Sequence, residues 1–231
     1  MKNITTLLID LDDTLYPQSH FLDGAWNAVA TASTLFGAQR DDFAATLRAI
    51  SALGSAQGRI INRALAASDC AHLEAAPLIA AFSEHLPTEL QTYANVESTL
   101  RSLRGDYALA LVTDGIPAQQ RAKLAALGLT NHFDIVVCSD DAGRAFRKPH
   151  ARPFTTALEH LGATPDCAVM IGDSPHKDVA GAHAIGMRSI RVRTGEYASI
   201  SDDATVSIDR FCEVSEALRH LNRESRAASS E

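Results

Sequence analysis

Two aspartates two positions apart, Asp10 and Asp12, close the first apolar run of the chain, Ile4–Ile9. In extended backbone, residues i and i+2 lie on one side, so both carboxylates can address one ligand while Asp13 points away. Two acids this close resist joint ionisation. A divalent cation relieves that repulsion, and hard oxygen donors such as Asp10, Asp173 and a backbone carbonyl suit magnesium, which also keeps waters and substrate oxygens. Equally, one carboxyl can stay protonated and serve as a general acid.

The acids fall at the end of a run that reads as a buried parallel strand, and other runs share that character: Tyr107–Val112 before Thr113 and Asp114, Phe133–Cys138 before Ser139-Asp140-Asp141, Cys167–Ile171 before Gly172-Asp173, and more weakly Ser189–Val192. Helical spacing is read between and after them, over Ala118–Leu127, Pro153–Leu161, Asp178–Ile185 and Phe211–Leu221. This alternation implies right-handed crossovers and an α/β, doubly wound parallel sheet. Ligands of such sheets bind beyond the carboxyl ends of the strands, so Asp10, Asp12, Thr113, Asp173 and Lys148, which follows the third run in Arg-Lys-Pro-His, are expected to converge. A carboxylate attacking a phosphate meets an anionic target, and a metal, a cation and hydrogen-bond donors would have to offset its charge. Lys148 and Thr113 can supply the last two.

Residues 17–93 break the alternation. They are rich in Ala, Leu and Arg, show helical spacing at Trp26-Val29-Ala30 and Phe43-Leu47-Ile50, and carry Gly37, Gly54 and Gly58 as breaks. They read as an all-helical insertion, leaving 1–16 and 94–231 as the α/β core. The polar stretch 223–231 reads as a frayed tail.

Composition narrows the partners. The 231 residues hold 21 Lys and Arg against 28 Asp and Glu, and the net charge of −7 offers no broad attraction to nucleic acid or anionic lipid. A small metabolite fits better. The first apolar run stops at Asp10, too early for a signal-peptide core, and no stretch has the apolar length of a membrane span, so a cytoplasmic protein is expected. Cys70, Cys138, Cys167 and Cys212 are widely spaced and form no Cys-x-x-Cys pair, and read as reduced thiols. No Walker loop, Gly-x-Ser-x-Gly elbow, His-Glu-x-x-His motif or dinucleotide glycine fingerprint is present.

Asp-Leu-Asp-Asp-Thr at 10–14, Leu-Val-Thr at 111–113, Lys-Pro at 148–149 and Gly-Asp-Ser-Pro-His-Lys-Asp at 172–178 resemble, in order, the four motifs of the haloacid-dehalogenase-like hydrolase superfamily. The resemblance implies Asp10 as nucleophile and metal ligand, and Asp12 as acid/base with its backbone carbonyl on the metal. It implies Thr113 and Lys148 on the phosphoryl group, Asp173 on magnesium, and Asp178 supporting that metal directly or through water. The insertion resembles the superfamily's helical cap, which closes over substrate. Asp12 disfavours dehalogenation, which releases halide and needs no acid at that position. The implied activity is a magnesium-dependent phosphatase acting on a small phosphomonoester through an aspartyl phosphate. A phosphomutase shares this nucleophile and acid/base, and a receiver-like phospho-acceptor module is the non-catalytic alternative. Leu-Tyr-Pro at 15–17 resembles the pyrimidine-nucleotidase-like branch, which makes a nucleotide one candidate substrate beside a sugar phosphate.

Overall fold

The computed structural model describes residues 3–54 and 58–227, with side chains to residue 223. Two compact units emerge, Met1–Gln18 with Glu89–Glu231, and Ser19–Thr88.

The first unit is built on six parallel strands, β1 Thr6–Ile9, β2 Ala108–Thr113, β3 Ile135–Cys138, β4 Ala168–Gly172, β5 Arg188–Val192 and β6 Val206–Ile208, in the order β3-β2-β1-β4-β5-β6. β6 is a strand the sequence reading did not place, because Val-Ser-Ile is too short and too interrupted by its serine to read as an apolar run. Successive strands step outward from β1 to β3, then restart beside β1 and step the other way. The reversal falls between β1 and β4, where a doubly wound sheet opens its ligand crevice. In register, Ile9 faces Leu111 on one side and Ile171 on the other, so the three chains leave the sheet at one level.

Side-chain alternation explains why every residue of β1 is buried. Leu8, Ala110, Val112 and Met170 pack on one face with Phe154, Ala157 and Leu158 of α7, Ala151–His160, and Ala182 of α8, Ala180–Ala184. Leu7, Ile9, Leu109, Leu111, Val169 and Ile171 point to the other face and are also inaccessible to solvent, as a sheet covered on both sides requires. α5, Val96–Leu103, leads into β2, and α6, Pro117–Ala126, follows it with Pro117 at its first position, where a missing N–H is harmless. α9 runs Val214–Ala227, so 223–227 extend a helix where a frayed tail was expected; residues 228–231 lie outside the described residues.

The second unit is all helical: α1 Gln18–Ser33, α2 Arg40–Ser51, α3 Ile60–Ala66 and α4 Ala75–Glu84. It has its own core, in which Trp26, Phe43, Leu47, Ile61, Leu65 and Leu78 are buried together. Gly37 and Gly54, both at positive φ, end the segments before them. No described helix is long and apolar enough to cross a membrane.

Candidate active site

Three carboxylates meet at the reversal point. Asp10 follows β1, Asp173 follows β4, and Asp178 lies in the wide π turn Pro175–Val179 that opens α8. Ligand oxygens from the three lie within 4.8 Å of one another, and all three side chains are buried. The π turn is what brings Asp178 back: its Oδ2 accepts from the Ser174 N–H at 3.0 Å, while Val179 N–H reaches the Ser174 carbonyl at 3.2 Å. Gly172 makes room for it, since a Cβ there would stand 2.3 Å from Asp178 Oδ2. Asp178 thus caps the turn and joins the acidic cluster at once.

Lys148 stands inside this cluster. Its Nζ donates to Asp10 Oδ1 at 2.5 Å, Asp178 Oδ1 at 2.7 Å and the Val112 carbonyl at 3.1 Å, which commits all three ammonium protons. The lysine is delivered by a loop fixed to the neighbouring strand end: Asp114 Oδ1 accepts from Lys148 N–H at 3.0 Å and from Ser139 Oγ at 2.7 Å. Burial alone would lower the Lys148 pKa, but Asp10 and Asp178 outweigh it and hold the ammonium charged. Burial raises Asp10 to about 7, against the lowering effect of Lys148 and with a further push from Asp178. Asp173 is raised well above the usual carboxylate range, first by burial and then by Asp178 and Asp10. Acids held short of ionisation by one another are what a divalent cation relieves.

Asp12 stands apart from the trio. Lys123 Nζ donates to both its oxygens, at 2.8 and 3.0 Å; the Tyr16 hydroxyl donates to Oδ1, and Gln120 Nε2 to Oδ2 at 3.0 Å. Burial acts to raise the Asp12 pKa, but Lys123's charge and these donors together bring it below the ordinary value. Thr113, 1% exposed at the end of β2, accepts from the same Gln120 amide at 2.6 Å. Asp13 takes a positive φ of 55° and turns aside to accept from Gln18 N–H at 2.9 Å, which leaves Asp10 and Asp12 to the strand end.

The sequence-named residues therefore fall into two connected groups, Asp10, Asp173, Asp178 and Lys148 in one, Asp12 and Thr113 in the other. Lys148, expected on a phosphoryl group, is bonded here to carboxylates. The helical-unit residues His20, Arg59 and His72 are exposed.

A model of haloacid dehalogenase-like hydrolases matches residues 4–186, a span that carries every one of these side chains. The chain belongs to that hydrolase family. A glyceraldehyde 3-phosphate phosphatase of Methanopyrus kandleri is 31% identical over 96% of this chain and 100% of its own length. The pyrimidine 5'-nucleotidase YjjG of Escherichia coli is 35% identical over 39% of this chain and 40% of its own. Among solved structures, a haloacid dehalogenase-like phosphatase of Thermococcus onnurineus superposes with a TM-score of 0.64 at 26% identity, covering 93% of this chain and 98% of that one.

Within this haloacid dehalogenase-like frame, sequence reasoning missed three partners. Lys123 and Gln120 lie one turn apart on α6, a helix whose buried residues are Gln119, Gln120, Lys123 and Leu124. The clue was available: between Pro117 and Ala126 only Leu124 is a large apolar residue, so a helix packed on the sheet has to turn polar groups inward. Arg191, fully buried in β5, donates to the Asp173 carbonyl at 3.0 Å and to the Ile200 carbonyl at 2.6 Å, and pairs with Asp202. Its signal was a charge set between the apolar residues Ile190 and Val192.

Proposed function

We propose that the chain is a magnesium-dependent phosphatase that hydrolyses a small phosphomonoester through an aspartyl phosphate on Asp10. The observation that carries this reading is the meeting of Asp10, Asp173 and Asp178 within 4.8 Å beside β1. With Asp12 they outnumber the lysines bonded to them, Lys148 and Lys123, by two, which is the charge of one divalent cation. Asp10 and Asp173 would hold magnesium, joined by the Asp12 backbone carbonyl and by Asp178 directly or through water. Bound there, magnesium supplies positive charge against the phosphoryl oxygens.

Asp10 attacks phosphorus in line, with Lys148 keeping its carboxylate oriented; Thr113 holds the phosphoryl oxygens, joined by Lys148 once it exchanges one of its three present acceptors for them. Asp12, ionised in the resting site, must take up a proton as the anionic substrate binds beside it; it gives that proton to the departing alkoxide and recovers one from the water that hydrolyses the aspartyl phosphate. Four hydrogen bonds from Lys123, Tyr16 and Gln120 to its two oxygens hold it in place for both steps. The helical unit, inserted in the sequence where the family carries its cap, is the candidate for limiting solvent during transfer. Names of the relatives point to phosphorylated small molecules, so a short-chain phosphate and a nucleoside monophosphate are the first substrates to test. A cytoplasmic setting suits unbonded cysteines.

A panel of phosphorylated metabolites, assayed with magnesium and with chelator, tests the reading. Turnover should require the metal, and Asp10→Asn should reduce kcat by at least about a thousandfold, the scale on which removal of a nucleophile acts. Full metal-dependent turnover by Asp10→Asn would refute the assignment.

A further inference from the structure

The hydrogen bonds around Gln120 can be assigned proton by proton. Lys123 donates to both oxygens of Asp12 and the Tyr16 hydroxyl donates to one of them, so the carboxylate is an acceptor on every side. The Gln120 atom 3.0 Å from Asp12 Oδ2 must then be the amide nitrogen, because the carbonyl oxygen would face another acceptor. That nitrogen has two protons and two partners, Asp12 Oδ2 and Thr113 Oγ1 at 2.6 Å. Thr113 Oγ1 therefore receives a proton from Gln120, and its own hydroxyl proton is left for a different acceptor. Gly115 belongs to the same device: at φ 130° it avoids strain, and a Cβ there would press within 3.3 Å of the Gln120 carboxamide.

Resting on the phosphatase reading of this site, we propose that Gln120 is a positioning residue which, anchored on Asp12, directs the Thr113 hydroxyl proton toward the phosphoryl group. A hydroxyl free to rotate would spend part of its time presenting lone pairs to an anion. Pinned by Gln120, it is a donor before substrate arrives, and such preorganisation is what makes a donor effective in transfer. Because the anchor is Asp12, one amide ties the acid/base to the phosphate site.

The test compares wild type, Gln120→Met, which keeps the length of the side chain without its donors, Thr113→Val and the double variant. The readouts are kcat and KM for p-nitrophenyl phosphate and the competitive inhibition constant of inorganic phosphate, with melting curves alongside. Wild-type turnover establishes the reading on which the proposal rests, and its absence would overturn both. Given turnover, Gln120→Met and Thr113→Val should each weaken phosphate inhibition about tenfold, the scale of a hydrogen bond to a charged group. The double variant should be no weaker than Thr113→Val alone, because without the hydroxyl there is nothing left to orient. Inhibition losses that multiply in the double variant, or phosphate inhibition unchanged in Gln120→Met, would overturn the proposal. Should Gln120→Met melt below the assay temperature, Gln120→Leu carries the same expectation.

Discussion

Two buried lysines divide the acids of the strand ends between them. Burial raises Asp10 to about 7 against the lowering pull of Lys148, which it shares with Asp178, while the charge and hydrogen bonds of Lys123 bring Asp12 below the ordinary value, although the two acids are separated by a single residue. Asp10 and Asp173 keep protons in the folded chain at pH values where the unfolded chain has lost them. Between about 4 and 7 the native state thus binds more protons than the unfolded state, and these groups make the metal-free protein less stable as pH rises. A cation bound to the same carboxylates competes with those protons. The melting temperature gained from magnesium over chelator should therefore be larger at pH 8 than at pH 5, and a gain independent of pH would contradict the raised acids. Asp10, Asp12, Thr113 and Asp173 were legible because each stands at the end of an apolar run, Lys148 from its Lys-Pro setting after the third run, and Asp178 only from the family motif. Lys123 and Gln120 were not, since a lysine and a glutamine on a helix ordinarily face water, and only packing shows that α6 turns them inward.

Strands and turns set where those side chains arrive. The sequence expectations for β1 to β5 and for α6 to α8 fall within a few residues of the elements described, because period-two burial and helical spacing are local properties, while α9 runs on to Ala227 past the end expected at Leu221. What local spacing lacks is the reach of one element to another. Arg191 illustrates this: its position in β5 says nothing of the fact that it fastens the Asp173 backbone to the segment holding Ile200 and Asp202. Removing one member of a buried ion pair strands the other, so Arg191→Met should lower unfolding stability by about 3–5 kcal/mol in denaturant titration. It should also weaken magnesium binding measured by calorimetry, as the Asp173 carbonyl loses its anchor. A stable variant with wild-type magnesium affinity would show that Arg191 does neither. The π turn at Pro175–Val179 was equally illegible, for a helix expected from Asp178 gives no sign of the wider turn that brings this carboxylate to Asp10.

At the scale of the whole chain, each of the two units has a hydrophobic core of its own. Leu47 is fully buried in the helical unit, and Leu47→Ala should destabilise that unit by about 2–5 kcal/mol. Amide hydrogen exchange should then accelerate in α1 to α4 while β1, β2 and β4 keep their protection. Equal acceleration in both would mean that the units unfold as one. The family-wide hydrolase frame was legible from four short motifs and the order of the strands. Substrate choice was not, because the four motifs specify a reaction centre and no motif in 19–88 names a ligand.

Everything rests on Asp10 becoming phosphorylated. Enzyme mixed with a phosphomonoester it turns over and magnesium, quenched during turnover and treated with borohydride, should carry homoserine at position 10, the reduction product of an acyl phosphate, when its peptides are read by mass spectrometry. Asp10→Asn treated in the same way should carry none. Unmodified Asp10 in enzyme caught turning over substrate, or homoserine at another aspartate, would contradict the account.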